Sequence, residues 1–422
     1  MSNVVPDGWD EDHLSNVSTI ITKGTTPTTN GYQYTASGVK FLRVENISHS
    51  GTIIENDLKF INDEANNALK RSQLQAGDLL VSIAGAIGRS AIVTEKNLPA
   101  NTNQAVGIVR LIPDDVLPKY VRYSIESPSV ERQISDLQAG NAQVNLNLQQ
   151  LGDLRFLRPP LPEQQKIAAI LSSVDDVIEK TQAQIDKLKD LKTGMMQELL
   201  TKGIGHTDFK DSPVGRIPVG WDVQSINDFV SKVGSGVTPK GGSKAYVEVG
   251  IPLIRSQNVY PDGLRLSDVS YITEEQHEKM ANSKLQPNDV LLNITGASIG
   301  RCYYLPDDFM EGNVNQHVCI IRLKKQIINH VYLTLILNSQ FGQSQIMNLQ
   351  AGGNREGLNF QQIRAIRVAI PPLQEQIKIA NAVSSVDRKI AAQNNKLESV
   401  KNAKKALMQD LLTGKVRVTV DN

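Results

Sequence analysis

The chain has 422 residues, of which 40% are hydrophobic and 21% charged, a composition typical of globular protein with length for two or three domains. Its two cysteines cannot form a disulfide framework, and no segment has the roughly 18 apolar residues of a membrane span, so the sequence predicts a cytoplasmic protein with no membrane contact. The net charge of +1 argues against coating nucleic acid by bulk charge, so any DNA contact must come from local clusters.

The sequence is a tandem repeat with an offset of 212 residues. It begins with a Pro-x-Gly-Trp element at 6–9, which returns at 218–221. Chance does not produce such a series of matches, so the chain is a duplication. Further matched stretches are 24–27 with 236–239, 38–43 with 250–255, 84–89 with 295–301 after a one-residue gap, 103–104 with 315–316, 137–140 with 349–352, and 199–201 with 411–413.

Each repeat opens with a mixed segment, at about 6–158 and again at 218–370. Short runs rich in aliphatic residues, such as 78–83, alternate there with glycine, asparagine and proline. This pattern predicts a small α+β domain in each repeat.

Each repeat ends in a segment with the heptad spacing of a coiled coil. From Glu163 onward apolar residues recur at alternating intervals of three and four, and the same spacing returns in the second repeat. Thr181 and Lys192 interrupt the first seam, and Gln393 and Lys404 interrupt the second at the same two places. The predicted helix–helix interface consists of Leu171, Val174, Ile178, Ile185, Leu188, Met195, Leu199, Val383, Val386, Ile390, Leu397, Val400, Leu407 and Leu411.

Proline and glycine set the limits of these helices. The Pro-Pro pairs at 159–160 and 371–372 cannot lie inside a helix, so each helix begins just after them. Gly203 and Gly414 mark the ends. A helix over 163–201 would be about 58 Å long at ~1.5 Å per residue.

Two copies of one unit that meet through the same helix face do so naturally by a pseudo-two-fold. We therefore expect antiparallel helices that cross near Ile185 and Leu397, with the globular domains at opposite ends of a rod. The alternative is that each helix packs only on its own globular domain. The predicted fold class is α+β, with two similar globular domains separated by two long antiparallel coiled-coil helices. The predicted boundaries are 1–158, 159–203, 204–370 and 371–422.

Signatures of catalysis are missing from the sequence. There is no glycine-rich phosphate loop ending in Lys-Ser or Lys-Thr, and neither Pro-Pro pair belongs to the Pro-Pro-aromatic element of a base methyltransferase. His317, Cys319 and Cys302 suggest a metal site, but their repeat counterparts are not metal ligands, so none is predicted. A non-catalytic binding protein is the better interpretation.

At this point the chain resembles a known family, the specificity subunits of type I restriction-modification systems. The resemblance is carried by the stretch 209–221, by the Pro-Pro-Leu-x-Glu-Gln start of both helices, and by the Gly-x-Thr-Pro elements. It covers nearly the whole chain. The duplicated architecture and the linker stretch are specific, whereas the Gly-x-Thr-Pro element alone would be weak.

The resemblance implies a role in reading DNA. The two globular domains would be target-recognition domains, each reading one half of a bipartite site in double-stranded DNA, with the helices as a ruler for the spacer. The subunit would also scaffold two modification subunits, which bind S-adenosylmethionine, and restriction subunits, which use ATP and Mg²⁺. No catalytic residue, cofactor or metal is then expected on this chain.

Residues identical in both repeats cannot distinguish two different half-sites, so they are predicted to support the fold or to contact the DNA backbone. The polar members of this set are Arg43, Asn46, Arg89, Asn103 and Gln104, with counterparts Arg255, Asn258, Arg301, Asn315 and Gln316.

Base reading is instead expected from loop residues that differ between the repeats and can donate or accept hydrogen bonds. In the first repeat these are Lys23, Thr25, Thr28, Thr29, Asn30, Tyr32, Gln33, Tyr34, Asn141 and Gln143. In the second they are Lys240, Ser243, Lys244, Tyr246, Asn354 and Arg355. A solvated polar loop is the alternative for each.

A basic excess lies near the end of the chain. Residues 371–422 contain 9 Lys and Arg against 5 Asp and Glu, whereas 1–158 contain 14 against 17. Lys396, Lys401, Lys404 and Lys405 are therefore predicted to face DNA or a partner, with a solvated helix face as the alternative.

Two other classes of function remain open from the sequence. One is a recognition fragment of a methyltransferase or nuclease that has lost its enzyme portion. The other is a coiled-coil adaptor that never touches DNA.

Overall fold

The fold comes from a computed structural model, which describes residues 5–48, 50–138, 145–239, 241, 245–324, 327–350 and 357–420. Its contacts divide the chain into two compact units. Unit 1 consists of Met1–Ala183 and Asn394–Asn422, and unit 2 of Gln184–Gln393. The predicted segmentation kept the long helices apart from the globular domains, whereas the observed division falls inside each helix.

The globular part of unit 1 is a mixed α+β domain, with nine strands and four short α-helices among its described residues. The strands are β1 Asp10–His13, β2 Ser18–Lys23, β3 Val39–Leu42, β4 Lys59–Ile61, β5 Leu79–Ser82, β6 Ser90–Ile92, β7 Ala100–Thr102, β8 Val106–Leu111 and β9 Arg155–Arg158. The helices are α1 Asp63–Ala68, α2 Pro118–Ile125, α3 Pro128–Gln138 and α4 Leu148–Gly152. The long helix α5, Leu161–Lys202, follows.

Unit 2 repeats this order of elements after a short hairpin, with one short helix and one strand pair in addition. Its strands are β10 Phe209–Ser212, β11 Gly215–Pro218, β12 Asp222–Ser225, β13 Val230–Ser235, β14 Ile251–Ile254, β15 Val259–Tyr260, β16 Gly263–Leu264, β17 Ser270–Ile272, β18 Val290–Asn293, β19 Cys302–Tyr304, β20 Asn313–Val314, β21 Val318–Leu323 and β22 Arg367–Ile370. Its helices are α6 Ile226–Phe229, α7 Glu274–Lys279, α8 His330–Asn338, α9 Gln340–Gln350 and α10 Phe360–Ala365, and the long helix α11, Leu373–Leu412, follows.

The two units have the same sheet topology. A four-stranded antiparallel sheet has the order β2-β8-β5-β6 in unit 1 and β13-β21-β18-β19 in unit 2. A three-stranded sheet has the order β4-β3-β7 in unit 1 and β17-β14-β20 in unit 2, with one parallel pair in each. The predicted duplication and the α+β class are confirmed.

The central strand β5 explains why an unbroken apolar run was visible in the sequence. Successive side chains of a strand point to opposite faces of the sheet. Leu79 and Val81 pack with α2 and α3, while Leu80 packs with the three-stranded sheet. Because both faces are covered, every position of the strand is apolar or small.

A buried ion pair at the start of this strand recurs in both units. Asp78, 1% exposed, accepts two hydrogen bonds at 2.8 Å from the Arg110 guanidinium. Asp289, also 1% exposed, accepts two bonds from Arg322 at 2.8 and 2.7 Å. Each pair joins neighbouring strands of the four-stranded sheet.

The long helices begin and end where proline and glycine predict. α5 starts one residue after its Pro-Pro pair, and Gly203 follows its last residue with a φ of 67°. Gly414 has the same φ just beyond α11. A Cβ there would lie 2.4 Å from Pro6 Cγ, so both the left-handed backbone and the close approach require glycine.

Within each unit the two helix segments run antiparallel. In unit 1 Asp175 contacts Lys404 at 2.7 Å, while Glu163, earlier on α5, contacts Arg417 beyond the end of α11 at 2.6 Å. In unit 2 Lys192 contacts Asp387 at 2.7 Å, and the backbone N–H of Ile204 donates to Glu375 at 2.9 Å. Residue numbers rise on one segment as they fall on the other.

Candidate nucleic-acid interface

Two buried asparagines organise the turn that follows β3 in unit 1 and β14 in unit 2. Asn46 accepts a hydrogen bond from the backbone N–H of Arg43 at 3.0 Å and donates to two carbonyls further along the turn at 3.1 and 3.3 Å. Asn258 repeats these bonds, accepting from Arg255 at 3.0 Å. Both asparagines are 1% exposed. Their amides are buried and hold the turn, which favours the fold-supporting role over the DNA-backbone contact that the sequence also allowed.

The repeated Gly-x-Thr-Pro element is bonded to the repeated Asn-Gln pair. The Thr26 hydroxyl donates to Gln104 Oε1 in unit 1, and Thr238 donates to Gln316 in the same way in unit 2. These threonines were missed as site residues, although their recurrence with a glutamine 78 residues later was visible. The asparagine before each glutamine accepts from the backbone N–H two residues on at 3.1 Å, which constrains Asn103 and Asn315.

The glycine of the same element is required by a close approach of two backbones. A Cβ on Gly24 would lie 1.9 Å from the Thr102 carbonyl oxygen, and one on Gly236 would lie 1.7 Å from that of Val314. Real side chains never approach a carbonyl so closely, so any other residue would push the loop away. The loops that follow are therefore attached to the domain at one fixed point.

In unit 1 the loop after this element includes a short 3-10 turn, Pro27–Asn30, and most of the predicted base-reading side chains are exposed there. Thr25 is half-buried and accepts from Arg71 at 3.3 Å. Tyr32 packs on an apolar cluster that contains Phe41, and Tyr34 meets the Phe41 ring edge-on at 5.6 Å. The exposed members are Lys23, Thr28, Thr29, Asn30, Gln33 and Tyr34.

In unit 2 the corresponding Tyr246 is half-buried against an apolar cluster that contains Leu253 and lies beneath the Arg255 guanidinium at 5.5 Å. Seven predicted contact residues lie outside the described residues: Asn141, Gln143, Lys240, Ser243, Lys244, Asn354 and Arg355.

The repeated arginine after the glycine turn has different surroundings in the two units. In unit 1 Arg89 lines an open groove of about 660 Å³ together with α3 and residues of α11 that include Lys401 and Lys405. In unit 2 its counterpart Arg301 stacks on the Tyr260 ring, 4.8 Å from the centroid. The position equivalent to Tyr260 in unit 1 is Ser48, which offers no ring to stack on.

Among the four lysines predicted to face DNA or a partner, Lys404 already has an ion-pair partner within the chain. Its side chain is 14% exposed and forms an ion pair with Asp175 at 2.7 Å. Lys401 pairs with Glu398 at 2.9 Å but is half-exposed, and Lys396 and Lys405 are exposed. Lys404 therefore links α11 to α5 within unit 1 and is not a surface contact.

A glutamate in the first turn of each long helix joins the helix to its globular domain. In unit 1 Glu163 accepts from the Trp9 indole N–H at 3.3 Å and from Arg417 at 2.6 and 3.0 Å. In unit 2 Glu375 accepts from the Trp221 indole at 3.1 Å. Its other oxygen contacts His206 at 2.8 Å, so His206 takes the place that Arg417 has in unit 1.

The glutamine that follows completes this joint. Gln164 accepts from the Leu117 backbone N–H at 2.8 Å and donates to the Pro159 carbonyl at 2.8 Å. Gln376 makes the equivalent bonds with Asn329 and Pro371, both at 2.8 Å. The Glu-Gln pair of the Pro-Pro-Leu-x-Glu-Gln element is therefore a structural joint, made twice with the same atoms.

A polar network links the domain to both helix segments in unit 1. Asp175 accepts from the Tyr123 hydroxyl at 2.7 Å and lies 3.6 Å from Arg122, besides its pair with Lys404. Burial, and to a lesser extent the hydrogen bond to Asp175, raises the pKa of Tyr123 to about 12, so the phenol stays protonated and donates. Arg122 in turn binds Glu126 at 3.0 Å.

One protein family matches both repeats of the chain. The family model described as type I restriction modification DNA specificity domain matches residues 6–190 and again 218–402. Each match comprises one globular domain and most of the long helix that follows it. The chain belongs to this family.

Relatives of this specificity subunit match along almost its whole length. Two from Methanocaldococcus jannaschii, which carry the names of the MjaX and MjaVIII type I restriction enzyme specificity subunits, are 27% and 26% identical to it. The alignments cover 98% and 92% of this chain and 95% and 85% of those relatives. The specificity subunits of the family are non-catalytic, and the function of this chain is DNA sequence specificity through two recognition domains.

Solved structures share the fold. The S subunit of a type I restriction-modification system from M. genitalium matches with a TM-score of 0.60 and 14% identity, over 99% of this chain and 98% of its own. A chain from a study of assembly and conformational transition of the type I system matches with a TM-score of 0.60 and 15% identity, over 98% and 100%.

Burial in the specificity subunit follows the predicted helix seam. All fourteen predicted apolar positions are buried or half-buried, as are Thr181, Lys192, Gln393 and Lys404. Some of them also belong to a domain core: Leu171 and Leu411 pack in unit 1, and Val383 packs in unit 2. Leu411 lies on the helix of the second repeat yet packs in the core of unit 1, so the alternative in which each helix packs only on its own globular domain is wrong.

Metal-binding geometry occurs once among the described residues of the specificity subunit, at Glu274, His277 and Glu278. Both nitrogens of His277 are already engaged, by Asn313 at 2.5 Å and Glu311 at 2.9 Å. Cys302 and Cys319, from the metal site considered in the sequence, are buried thiols whose pKa burial raises. Within the described part of the chain, no helix has the length and apolar character needed to cross a membrane.

Proposed function

We propose that this specificity subunit reads a bipartite sequence in double-stranded DNA, with one half-site bound by each globular domain. The supporting observation is that the chain contains two domains built on the same four-stranded and three-stranded sheets, whose loop sequences differ. Identical scaffolds place their loops alike, while different donors and acceptors select different bases. Two related but unequal readers then specify one asymmetric target.

The long helices set the spacer between the half-sites in this proposal. α5 has 42 residues and α11 has 40, so each is about 60 Å long at ~1.5 Å per residue. One DNA turn is about 34–36 Å, so base pairs that no domain reads would lie between the half-sites.

Assembly with methyltransferase and restriction subunits follows from the family. We propose two modification subunits, since every surface of the repeated scaffold is present twice. S-adenosylmethionine, ATP and Mg²⁺ would bind those partners and not this chain. The complex would act in the cytoplasm, where it meets DNA.

The decisive experiment maps methylated bases in a genome that carries this subunit with its modification partner. One bipartite motif with unread bases in its centre is the expected result. Methyl transfer by the purified chain alone would instead support a catalytic protein. Equal binding of all duplexes by the assembled complex would support an adaptor that does not read sequence.

A further inference from the structure

A small hairpin packs against strands β18 and β19 of the four-stranded sheet in unit 2. It consists of β15 and β16, paired antiparallel, with Tyr260 opposite Gly263. Its base is fixed, because Val259 is fully buried and Leu264 packs in the same apolar cluster. The turn at 261–262 is exposed. The hairpin is thus a firmly mounted element whose tip faces solvent.

Two arginines stack on the tyrosine of this hairpin. The Arg301 guanidinium lies 4.8 Å from the centroid of the Tyr260 ring, and that of Arg265 lies 4.9 Å from it. The Arg301 side chain has no hydrogen bond or ion pair with a residue that the structure describes. Its five N–H donors are therefore available to a ligand, while the ring restricts the orientation of both guanidinium planes.

Arg265 is held in place by an exposed carboxylate. Its guanidinium contacts both oxygens of Asp262 at 2.9 and 2.8 Å, and the two side chains are 47% and 65% exposed. An ion pair this exposed contributes at most about 1 kcal/mol. The pair with Asp262 can orient the guanidinium of Arg265 in the free protein. It is weak enough for two hydrogen-bond acceptors of a ligand to replace the carboxylate.

The equivalent turn of unit 1 occupies the same place in the domain but carries different side chains. The bridge between Ile47 and Ile53 replaces the strand pair. Ser48 stands in place of Tyr260, and Ile54, which bonds to Asn46 as Arg265 bonds to Asn258, stands in place of the arginine. Ser48 lies 2.9 Å from Ser50 and 2.8 Å from Thr52, oxygen to oxygen. The sheets around this turn have the same strand order in both units. The two units therefore differ in the side chains of the turn while the sheets that hold it are alike.

We propose that the hairpin β15–β16 is a base-reading element of unit 2, with Arg265 as a specificity-determining residue and Arg301 as a phosphate contact beside it. This inference rests on the proposed function and gives it a location. A two-stranded ribbon fits the major groove of B-DNA, and the fork of an arginine matches the O6 and N7 acceptors of guanine. Arg301 is identical in both repeats, as expected for a contact that carries no sequence information.

An acidic protein surface would also attract two arginines. DNA is favoured because the two arginines stack on an aromatic ring in a hairpin with an exposed turn. It is also favoured because the side chains of this turn differ between the two units. A partner protein common to both units would need the same chemistry twice. The experiment separates the two occupants.

The test uses the complex of this chain with its modification subunits. Methyl transfer is measured as kcat/KM on the mapped target and on duplexes with each base pair changed in turn. Arg265→Ala is expected to lower discrimination about 5- to 150-fold at one or two base pairs of one half-site. Arg265→Lys should keep overall binding within about twofold and lose the same discrimination, since an ammonium cannot form the fork. The matched control is Lys279→Ala, which removes another exposed, carboxylate-paired cation of unit 2 and should change neither readout.

Arg301→Gln should weaken binding to all duplexes alike and reduce the slope of log affinity against log salt by about one. Discrimination within twofold of the parent at every base pair in Arg265→Ala would refute the assignment. So would weaker retention of the modification subunits on gel filtration, with the discrimination of the remaining complex unchanged, which is the result expected for a protein contact. If the parent complex itself fails to discriminate, the proposed function falls and the hairpin is not at issue.

Discussion

Each unit contains one of the two tryptophans of the chain, and each indole donates to the glutamate that opens a long helix. Trp221 is fully buried and Trp9 is 5% exposed, so a lost acceptor leaves a buried N–H without a partner. A buried donor without a partner costs about 1–3 kcal/mol. The two tryptophans are therefore local reporters of the two joints.

Glu375→Ala in a Trp9→Phe background should lower the free energy of unfolding by about 1–3 kcal/mol, measured by urea denaturation with Trp221 fluorescence. The loss arises because the Trp221 indole and the Ile204 backbone N–H both donate to this carboxylate. Glu163→Ala in the same background removes the joint of unit 1 and should move the Trp221 transition less. Equal shifts from both changes would contradict the assignment of each glutamate to its own unit.

Asp289→Asn should cost about 2–3 kcal/mol, because it breaks a bidentate pair whose carboxylate is 1% exposed. The figure is below that of a fully buried pair, since the Arg322 side chain is 21% exposed. Asp262→Asn removes a pair with similar distances at the surface and should cost less than about 1 kcal/mol. Chemical denaturation of both variants compares the two; similar costs would mean that burial does not decide the value of these pairs.

At the residue scale, the duplication separates shared residues from variable ones but does not tell what the shared ones do. Asn46 and Gln104 are equally repeated, yet one is buried in a turn and the other lies at the surface bonded to Thr26. Burial depends on contacts between segments distant in sequence, which no local pattern contains. The hairpin around Tyr260 was missed for the same reason, since its partner Arg301 is 41 residues away in the chain.

At the element scale, the long helices were the most predictable part. Periodic apolar residues, Pro-Pro before the first turn and glycine after the last are all local signals, and the observed helix α5 differs from the predicted 163–201 by one or two residues at each end. The two lysines that interrupt the seam had no explanation until their ion pairs with Asp175 and Asp387 were seen. Each lysine faces an aspartate of the other helix segment in its unit.

These two ion pairs should differ in value although their chemistry is the same. Lys404→Met should lower the stability of unit 1 by about 1–2 kcal/mol, because Asp175 is 13% exposed and loses its nearest cation. Lys192→Met should cost less than about 1 kcal/mol, because Asp387 is 42% exposed and water replaces the lysine. Denaturation followed through Trp9 for the first and Trp221 for the second measures both, and a larger cost in unit 2 would contradict this ranking.

At the scale of the whole molecule, both repeats join a globular domain to a long helix through equivalent hydrogen bonds. The partners of that joint are a tryptophan and a backbone N–H from the domain and a Glu-Gln pair from the helix. Beside it, a tyrosine of each domain bonds to the strand that precedes the helix. The Tyr120 hydroxyl donates to the Leu157 carbonyl at 2.6 Å and the Tyr332 hydroxyl to that of Ala369 at 3.0 Å. Because each domain presents the same atoms to its helix, either domain should fit either position.

A chain in which residues 218–370 replace residues 6–158 should therefore fold and assemble. The bonds of the Glu-Gln pair in unit 1 are available to the inserted domain, with Trp221 in place of Trp9 and Asn329 in place of Leu117. The bond from Tyr123 to Asp175 is lost, because Leu335 takes the place of Tyr123. If each domain reads one half-site, the methylated motif of this chain contains the half-site of unit 2 twice and that of unit 1 not at all. Sequencing of methylated bases in cells that express it provides the measurement, and the unaltered chain provides the reference motif. A motif that still contains the half-site of unit 1 would show that sequence is read outside residues 6–158, and the division of labour between the two domains would have to be abandoned.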